Sequence, residues 1–220
     1  MVKIYTHYSD SHKQLYDDFF KASLRALYSK EEVAIKVLNH TQTTQDGMFM
    51  TQGWLDSMDF KLDVILTAIE ETFNSWFIFA DCDIQFLKPF VTDLQEQLTD
   101  VDIVCQEDCG SLCAGFFACK SNNDTKKLFQ TIKSTFRYLV NDQVALNEHR
   151  NLVKYKLLDN KKYFTIGNFF NNKDGTHNWD NVTDIVPPKE ILVHHANYVK
   201  GVANKLQLIK MIKHNYENLV

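Results

Sequence analysis

The 220 residues, 45% hydrophobic and 24% charged, have the composition of a globular chain long enough to bury a sizeable core, and a single domain over 1–220 is expected. A net charge of −4 argues against nucleic acid as a partner, because a general binder needs a basic field to neutralise phosphates. No apolar run approaches the roughly 18 to 20 residues that span a bilayer, and MVKIYTHYSD lacks the apolar stretch of a signal peptide, so a cytoplasmic protein without a transmembrane segment is expected.

Short β-type runs alternate with longer helical ones, the pattern of an α/β sheet protein. Val2 to Thr6 reads as a first strand ending in a polar cluster. A helix from about Ser11 to Tyr28 follows, with Leu15, Phe19, Ala22 and Ala26 at three- and four-residue spacing. Val33 to Leu38 is apolar and β-branched, hence a second strand, and Thr41 to Gly53 is a polar loop. Trp54 to Phe73 is helical through Leu62, Ile65, Leu66 and Ile69. Trp76 to Ala80 is apolar on both faces, as in the middle of a parallel sheet.

Val101 to Cys105 and Cys113 to Cys119 read as strands. Asp124 to Leu139 and Asp142 to Asn151 read as helices, the former capped by Asn122 or Asn123. Asn168 to Asn181 is a polar loop, Ile191 to His195 a last strand after Pro187 and Pro188, and Val202 to Tyr216 a final helix. The five cysteines are an odd number at no familiar disulfide spacing, which fits a reducing compartment. The spacing of Cys105, Cys109 and Cys113 is looser than the tight C-x2-C that opens most zinc patterns.

Ligands of open α/β sheets bind beyond the carboxyl ends of the strands, which puts the chemistry at Asp81 and Asp83. Two residues apart in an extended chain, they would face one side with Cα atoms about 7 Å apart, while Cys82 turns into packing. One carboxylate can then ligate a hard divalent cation and the other reach the same ion, its water or a hydroxyl group. Two adjacent histidines at the end of a strand, His194 and His195, cannot both face the core, so at least one faces the cleft. Either asparagine or aspartate of Asn141–Asp142 can open the following helix as its cap.

The run WFIFADCDIQFLKPF, residues 76–90, resembles the D-x-D segment of nucleotide-diphospho-sugar transferases of the GT-A type. VHHANYVKGVANK resembles that family's closing signature, with His195, Ala196, Asn197, Tyr198, Gly201 and Lys205 in its positions. CAGFFACKS resembles the strand lining the family's sugar pocket, where Gly115 permits close backbone approach, and Asp142–Gln143 resembles its Asp-Gln pair. The matched pieces run in the family's order from Lys3 to Lys205.

The resemblance implies one GT-A domain with a central, mostly parallel sheet, divided at about residue 105 into a nucleotide-binding half and a sugar and acceptor half. It implies a cation, Mn2+ or Mg2+, on Asp81, Asp83 and His195, with Asp81 shared between metal and donor. Thr6, Lys61, Gly115, Gln143 and Gly201 fall at donor-binding positions, Lys205 neutralises the leaving diphosphate, and Asp142 is a candidate base. The implied reaction moves a hexose from a UDP-linked donor such as UDP-glucose to a hydroxyl of a glycan, lipid or protein acceptor. Retention is the expected outcome, with inversion left open. Two other readings stand beside it: a silent sugar-nucleotide-binding protein, and a haloacid-dehalogenase-type phosphatase. The phosphatase pattern needs Thr or Val where Gln85 stands.

Overall fold

Side chains of β3, Trp76–Ala80, divide the molecule into two layers: Phe77 and Phe79 enter one hydrophobic cluster and Ile78 and Ala80 the other. The structure is a computed structural model that describes residues 1–41, 51–165, 185–197, 199 and 201–219. The expected Asn168–Asn181 loop and Tyr198 lie outside the described residues, as does most of the Thr41–Gly53 loop.

The main sheet contains β1 (Val2–Tyr8), β2 (Val33–Asn39), β3, β5 (Ile103–Asp108), β6 (Ser111–Lys120) and β7 (Tyr155–Leu157), in the order β2-β1-β3-β6-β5-β7. β6 runs antiparallel to β3 and β5, and the other neighbours pair in parallel. The sheet is therefore mostly parallel, but β3 has a parallel partner on one side only. Its burial on both faces comes from the helical layers.

One layer is built by α3 (Gln52–Glu71), α5 (Asn123–Thr135) and α6 (Asp142–His149). Leu62, Ile65, Ala68 and Ile69 recur at three- and four-residue spacing and bring one face of α3 onto Phe77, Phe79 and Phe117. Asn122 caps α5 by accepting from the Thr125 N–H at 2.9 Å while Thr125 answers the Asn122 N–H at 3.1 Å, a capping box. The opposite layer holds a helical run made of a 3-10 turn (Asp10–His12), α1 (Lys13–Leu15), a π-helical segment (Tyr16–Lys21) and α2 (Ala22–Leu27). α4 (Val91–Gln97) completes it, and Tyr28 ties the two by accepting from the Phe90 N–H at 2.6 Å.

A second sheet, β4-β9-β8, is made of β4 (Ile84–Phe86), β8 (Tyr163–Thr165) and β9 (Val193–His195). β4, β7, β8 and α4 have no counterpart in the elements read from the sequence: three residues carry no periodicity, and α4 spans only two turns. The last strand begins at Val193 rather than Ile191, and β5 lies further along the chain than the expected Val101–Cys105. α7 (Val202–Glu217) packs Leu208, Ile209 and Ile212 against Leu15, Phe164, Ile191 and Ala196. No helix among the described residues is long and apolar enough to cross a membrane.

The extended geometry expected for Asp81–Asp83 is corrected. β3 ends at Ala80, Cys82 and Asp83 form a turn, and the chain enters β4 at Ile84. The turn arises because β4 pairs with β9 in the second sheet, so the chain leaves the main sheet at Asp81.

Phe117 is fully buried and stacked on Phe79 and Phe129, each 5.4 Å away. Phe117→Ala is expected to lower the unfolding free energy by about 3–5 kcal/mol, measured by urea denaturation.

Candidate active site at the end of β3

Asp81 stands where β3 leaves the main sheet, its N–H donating to the Gly115 carbonyl at 2.7 Å. The turn that follows is fixed at its far end by β9. Ile84 pairs with His195, and the Ala196 N–H donates to the Asp83 carbonyl at 3.0 Å. The short second sheet thus carries a histidine from near the end of the chain to the aspartates. Ligand atoms of Asp81, Asp83 and His195 lie within 4.8 Å of one another.

The two adjacent histidines face apart. His195 Nε2 lies 3.3 Å from Asp83 Oδ1. His194 turns into packing, where Gln85 Nε2 donates to its Nδ1 at 2.9 Å and to the Ile209 carbonyl at 3.1 Å. Burial holds His194 neutral, its pKa lowered to about 3. At His195 burial also works against the charge, yet Asp83 outweighs it and raises the pKa to about 10. Burial opposes the ionised form of Asp83 as well, and Lys205 and His195 together hold its carboxyl well below the usual range.

Lys205 reaches this point from α7. Its Nζ donates to Asp83 Oδ2 and, at 3.0 Å, to the Ala196 carbonyl. Gly201 opens the helix at φ +82°, a left-handed conformation suited to glycine, and accepts from the Lys205 N–H at 3.2 Å.

Lys61 projects from α3 and is sealed, with 3% of its side chain exposed against 18% for Lys205. Its ammonium lies 3.2 Å from Asp81 Oδ1 and 3.0 Å from Asp142 Oδ2. Burial disfavours that charge, but Asp142 and Asp81 overcome the penalty and raise the pKa above its ordinary value. Lys61 is therefore bound to the two carboxylates rather than lying on a solvated helix face.

Asn141 resolves the choice of cap: its side chain accepts from the Val144 N–H at 2.7 Å, which leaves Asp142 for Lys61. Gln143 is committed at both ends, accepting from the Ala114 N–H at 3.2 Å and donating to Asp108 Oδ2 at 2.8 Å. Thr6, expected at the end of the first strand, lies within β1, which continues to Tyr8, and is fully buried with its hydroxyl unpartnered among the described residues.

The structure thus joins Asp81, Asp83, Asp142, Lys61, Lys205 and His195 into one charged cluster, with Gly115 against it. Gln143, Gly201 and Thr6 stand beside the cluster rather than within it. Three residues given no role at the site from sequence also belong here. His12 lies within electrostatic reach of Asp83 and Lys205, Cys113 Sγ lies 3.7 Å from His195 Nδ1, and Gln106 Oε1 lies 3.0 Å from the same nitrogen. Gln106 had one signal available, a polar residue directly after an apolar strand.

Two carboxylates and an imidazole form a donor set suited to a divalent cation. Gly115 provides the room for it: a Cβ there would lie 2.4 Å from His195 Cε1 and 2.6 Å from Asp81 Oδ2. The cysteines are all free, with Cys105 and Cys113 buried and Cys109 exposed.

A family model described as nucleotide-diphospho-sugar transferase matches residues 17–209. A UDP-galactose:fucoside alpha-3-galactosyltransferase of Dictyostelium discoideum is 25% identical over 165 residues, covering 61% of this chain; the chain spans about a quarter (25%) of that protein's length. Among solved structures, a glycosyltransferase involved in glycosylation of the major capsid of PBCV-1 superposes with a TM-score of 0.62 at 10% identity, covering 96% of this chain and 98% of that one. The galactosyltransferase LgtC, in complex with donor and acceptor sugar analogues, superposes with a TM-score of 0.57 at 11% identity, covering 99% and 96%. GlyE of Streptococcus pneumoniae does so at 0.59 and 14%, covering 100% and 64%. The fold is that of the GT-A glycosyltransferases.

Two outcomes are expected. Gly115→Ala should displace the His195 ring or Asp81 and cost about 1–3 kcal/mol of stability, read from denaturation and a crystal structure of the variant. In chelator, the Asp83–His195 pair stabilises the fold fully between the ordinary carboxylate and imidazole pKa values, about 4 to 6.5. Because the folded pKa of His195 is raised, that contribution fades as pH climbs towards about 10; because that of Asp83 is lowered, it also fades in acid. Urea stability of the wild type should therefore fall between pH 7 and 10 more steeply than that of His195→Gln.

Proposed function

Because the chain belongs to the nucleotide-diphospho-sugar transferase family, we propose that it transfers a hexose from a UDP-sugar to an acceptor hydroxyl group, using a divalent cation held by Asp81, Asp83 and His195. The observation that carries this reading is the convergence of those three side chains, from two distant segments, at the end of β3. Galactose is the first hexose to test, given the donor named for the Dictyostelium relative. The partners are then a UDP-sugar and a glycan, lipid or protein acceptor.

The residues divide the work by exposure and charge. Asp83 and His195 hold a proton between them at neutral pH, and a cation held by Asp81, Asp83 and His195 would take the place of that proton. A manganese or magnesium ion in this position stabilises negative charge on a diphosphate leaving group. Lys205, paired with Asp83 and partly open to the cleft, would add a second positive charge for the diphosphate. Lys61 stays sealed, keeping Asp81 aimed at the cation and Asp142 fixed beside it. Gln143 braces the strand that carries Gly115, and Thr6 packs beneath the nucleoside position with its hydroxyl buried.

Asp142 supports retention over inversion. It is 6% exposed and already paired with Lys61, so an acceptor hydroxyl group would have to compete with an ammonium for it. A leaving phosphate oxygen that takes the acceptor proton avoids that competition.

With a panel of UDP- and GDP-sugars, manganese-dependent release of free UDP is expected from the wild type. Asp83→Ala should reduce it by at least about 100-fold, the scale for losing a leading electrostatic contact in the transition state. Undiminished release from Asp83→Ala would sink the site assignment. A melting shift with UDP and manganese but no turnover would identify a silent binder instead.

A further inference from the structure

β5 carries a polar side chain that the proposed chemistry does not use. Gln106 is completely buried, at the register shift between Cys105 and Glu107 where the ladder to β6 is broken. Breaks of this kind re-aim a side chain and are common beside functional sites. A primary amide buried without partners would be costly, but both ends of Gln106 are used. Its Nε2 donates to the Phe164 carbonyl at 3.1 Å, and its Oε1 lies 3.0 Å from His195 Nδ1.

The first contact decides the second. An amide whose nitrogen is committed to a carbonyl presents its oxygen to the imidazole, and an oxygen can only accept. The hydrogen therefore resides on His195 Nδ1. Cys113 Sγ, 3.7 Å from that nitrogen, already accepts the Gly115 N–H at 3.4 Å and is compatible with the same arrangement. Nε2 is the nitrogen turned towards Asp83, 3.3 Å from Oδ1.

We infer that Gln106 is a positioning residue of the cation site: anchored on Phe164, it keeps a hydrogen on His195 Nδ1, so that Nε2, beside Asp83, is the nitrogen whose proton a cation would displace. The inference rests on the cation-site reading above. Ligating imidazoles depend on an acceptor at their other nitrogen to fix tautomer and ring orientation. Here the acceptor comes from the main sheet, its anchor from β8 and the ligand from β9, so one side chain aligns the two sheets at the site.

The test compares Mn2+ binding, measured as free Mn2+ by electron paramagnetic resonance, in the full chain and its variants. Gln106→Met keeps the size without an acceptor, and Gln106→Glu keeps an acceptor at the same reach. Gln106→Met should weaken binding by about 10- to 100-fold. Gln106→Glu should bind close to wild type, and Asp83→Ala and His195→Ala should lose binding. With Mg2+ bound, 15N–1H spectra should place the His195 hydrogen on Nδ1. If Gln106→Met does not melt cooperatively, Gln106→Asn, one methylene too short, takes its place with the same weakening expected.

Wild-type binding in Gln106→Met, alongside loss in Asp83→Ala, would overturn the role of Gln106 and leave the cation site standing. Equal weakening in the Met and Glu variants would reduce Gln106 to packing and overturn it too, as would a hydrogen found on Nε2. Full binding in Asp83→Ala and His195→Ala would remove the cation site itself, and this inference with it.

Discussion

Three carboxylates cannot be gathered at one largely buried point unless positive charge comes with them, since each unpaired buried ion costs several kcal/mol. Asp81, Asp83 and Asp142 meet this constraint through cations on three different elements: Lys61 on α3, Lys205 on α7 and His195 on β9. Lys61 is shared by two of the carboxylates, so the seating of α3 on the main sheet sets the distance between them. The cations of Asp83 come from the C-terminal layer, and one of them remains partly exposed. The compensation is sealed beneath Asp81 and Asp142 and partly open to solvent at Asp83.

The same crowding constrains β6, the strand that runs antiparallel to β3 and β5. β6 passes beneath the aspartates, and at Gly115 it gives a carbonyl to the Asp81 N–H while leaving no side chain in the way. A residue with a Cβ would occupy the space where His195 and Asp81 meet. Cys113, two residues earlier, turns its sulfur to the far nitrogen of the same imidazole.

Much of this was legible in the residues themselves, for physical reasons that also mark where legibility ends. β3 could be read because its five consecutive apolar residues, running straight into Asp81, suit a strand buried on both faces and are too few for a core helix. The long helices could be read from their spacing, and the opposite facing of His194 and His195 follows from strand alternation. β9 could be read as a strand from Ile191 to His195, but β4 and β8 are too short to show a period, and it is the pairing of β4 with β9 that joins Asp83 to His195 and bends the aspartate segment into a turn. The burial of Lys61 was hidden because its charge suggests solvent, and only the position of Asp142 on α6 makes burial tolerable. Gln106 sits at a ladder irregularity, which depends on the partner strand and is marked in its own only by a polar residue after an apolar run.

The β4–β9 ladder also makes the site contingent on the last layer to be completed by the chain. Asp81 and Asp83 leave the main sheet early, whereas His195 arrives with β9, whose Val193 packs into a main-sheet cluster, and Lys205 with α7, which rests on a separate apolar cluster. Local opening of that cluster, at a free energy below that of global unfolding, would disassemble the site while the main sheet stayed folded. A ligand that bridges Asp83 and His195 is therefore linked to the closing of that layer, and part of its binding free energy is spent shifting a subglobal equilibrium. Residues of α7 buried in that cluster, such as Leu208 and Ile212, would thereby act on apparent affinity through the fraction of molecules in which α7 is seated.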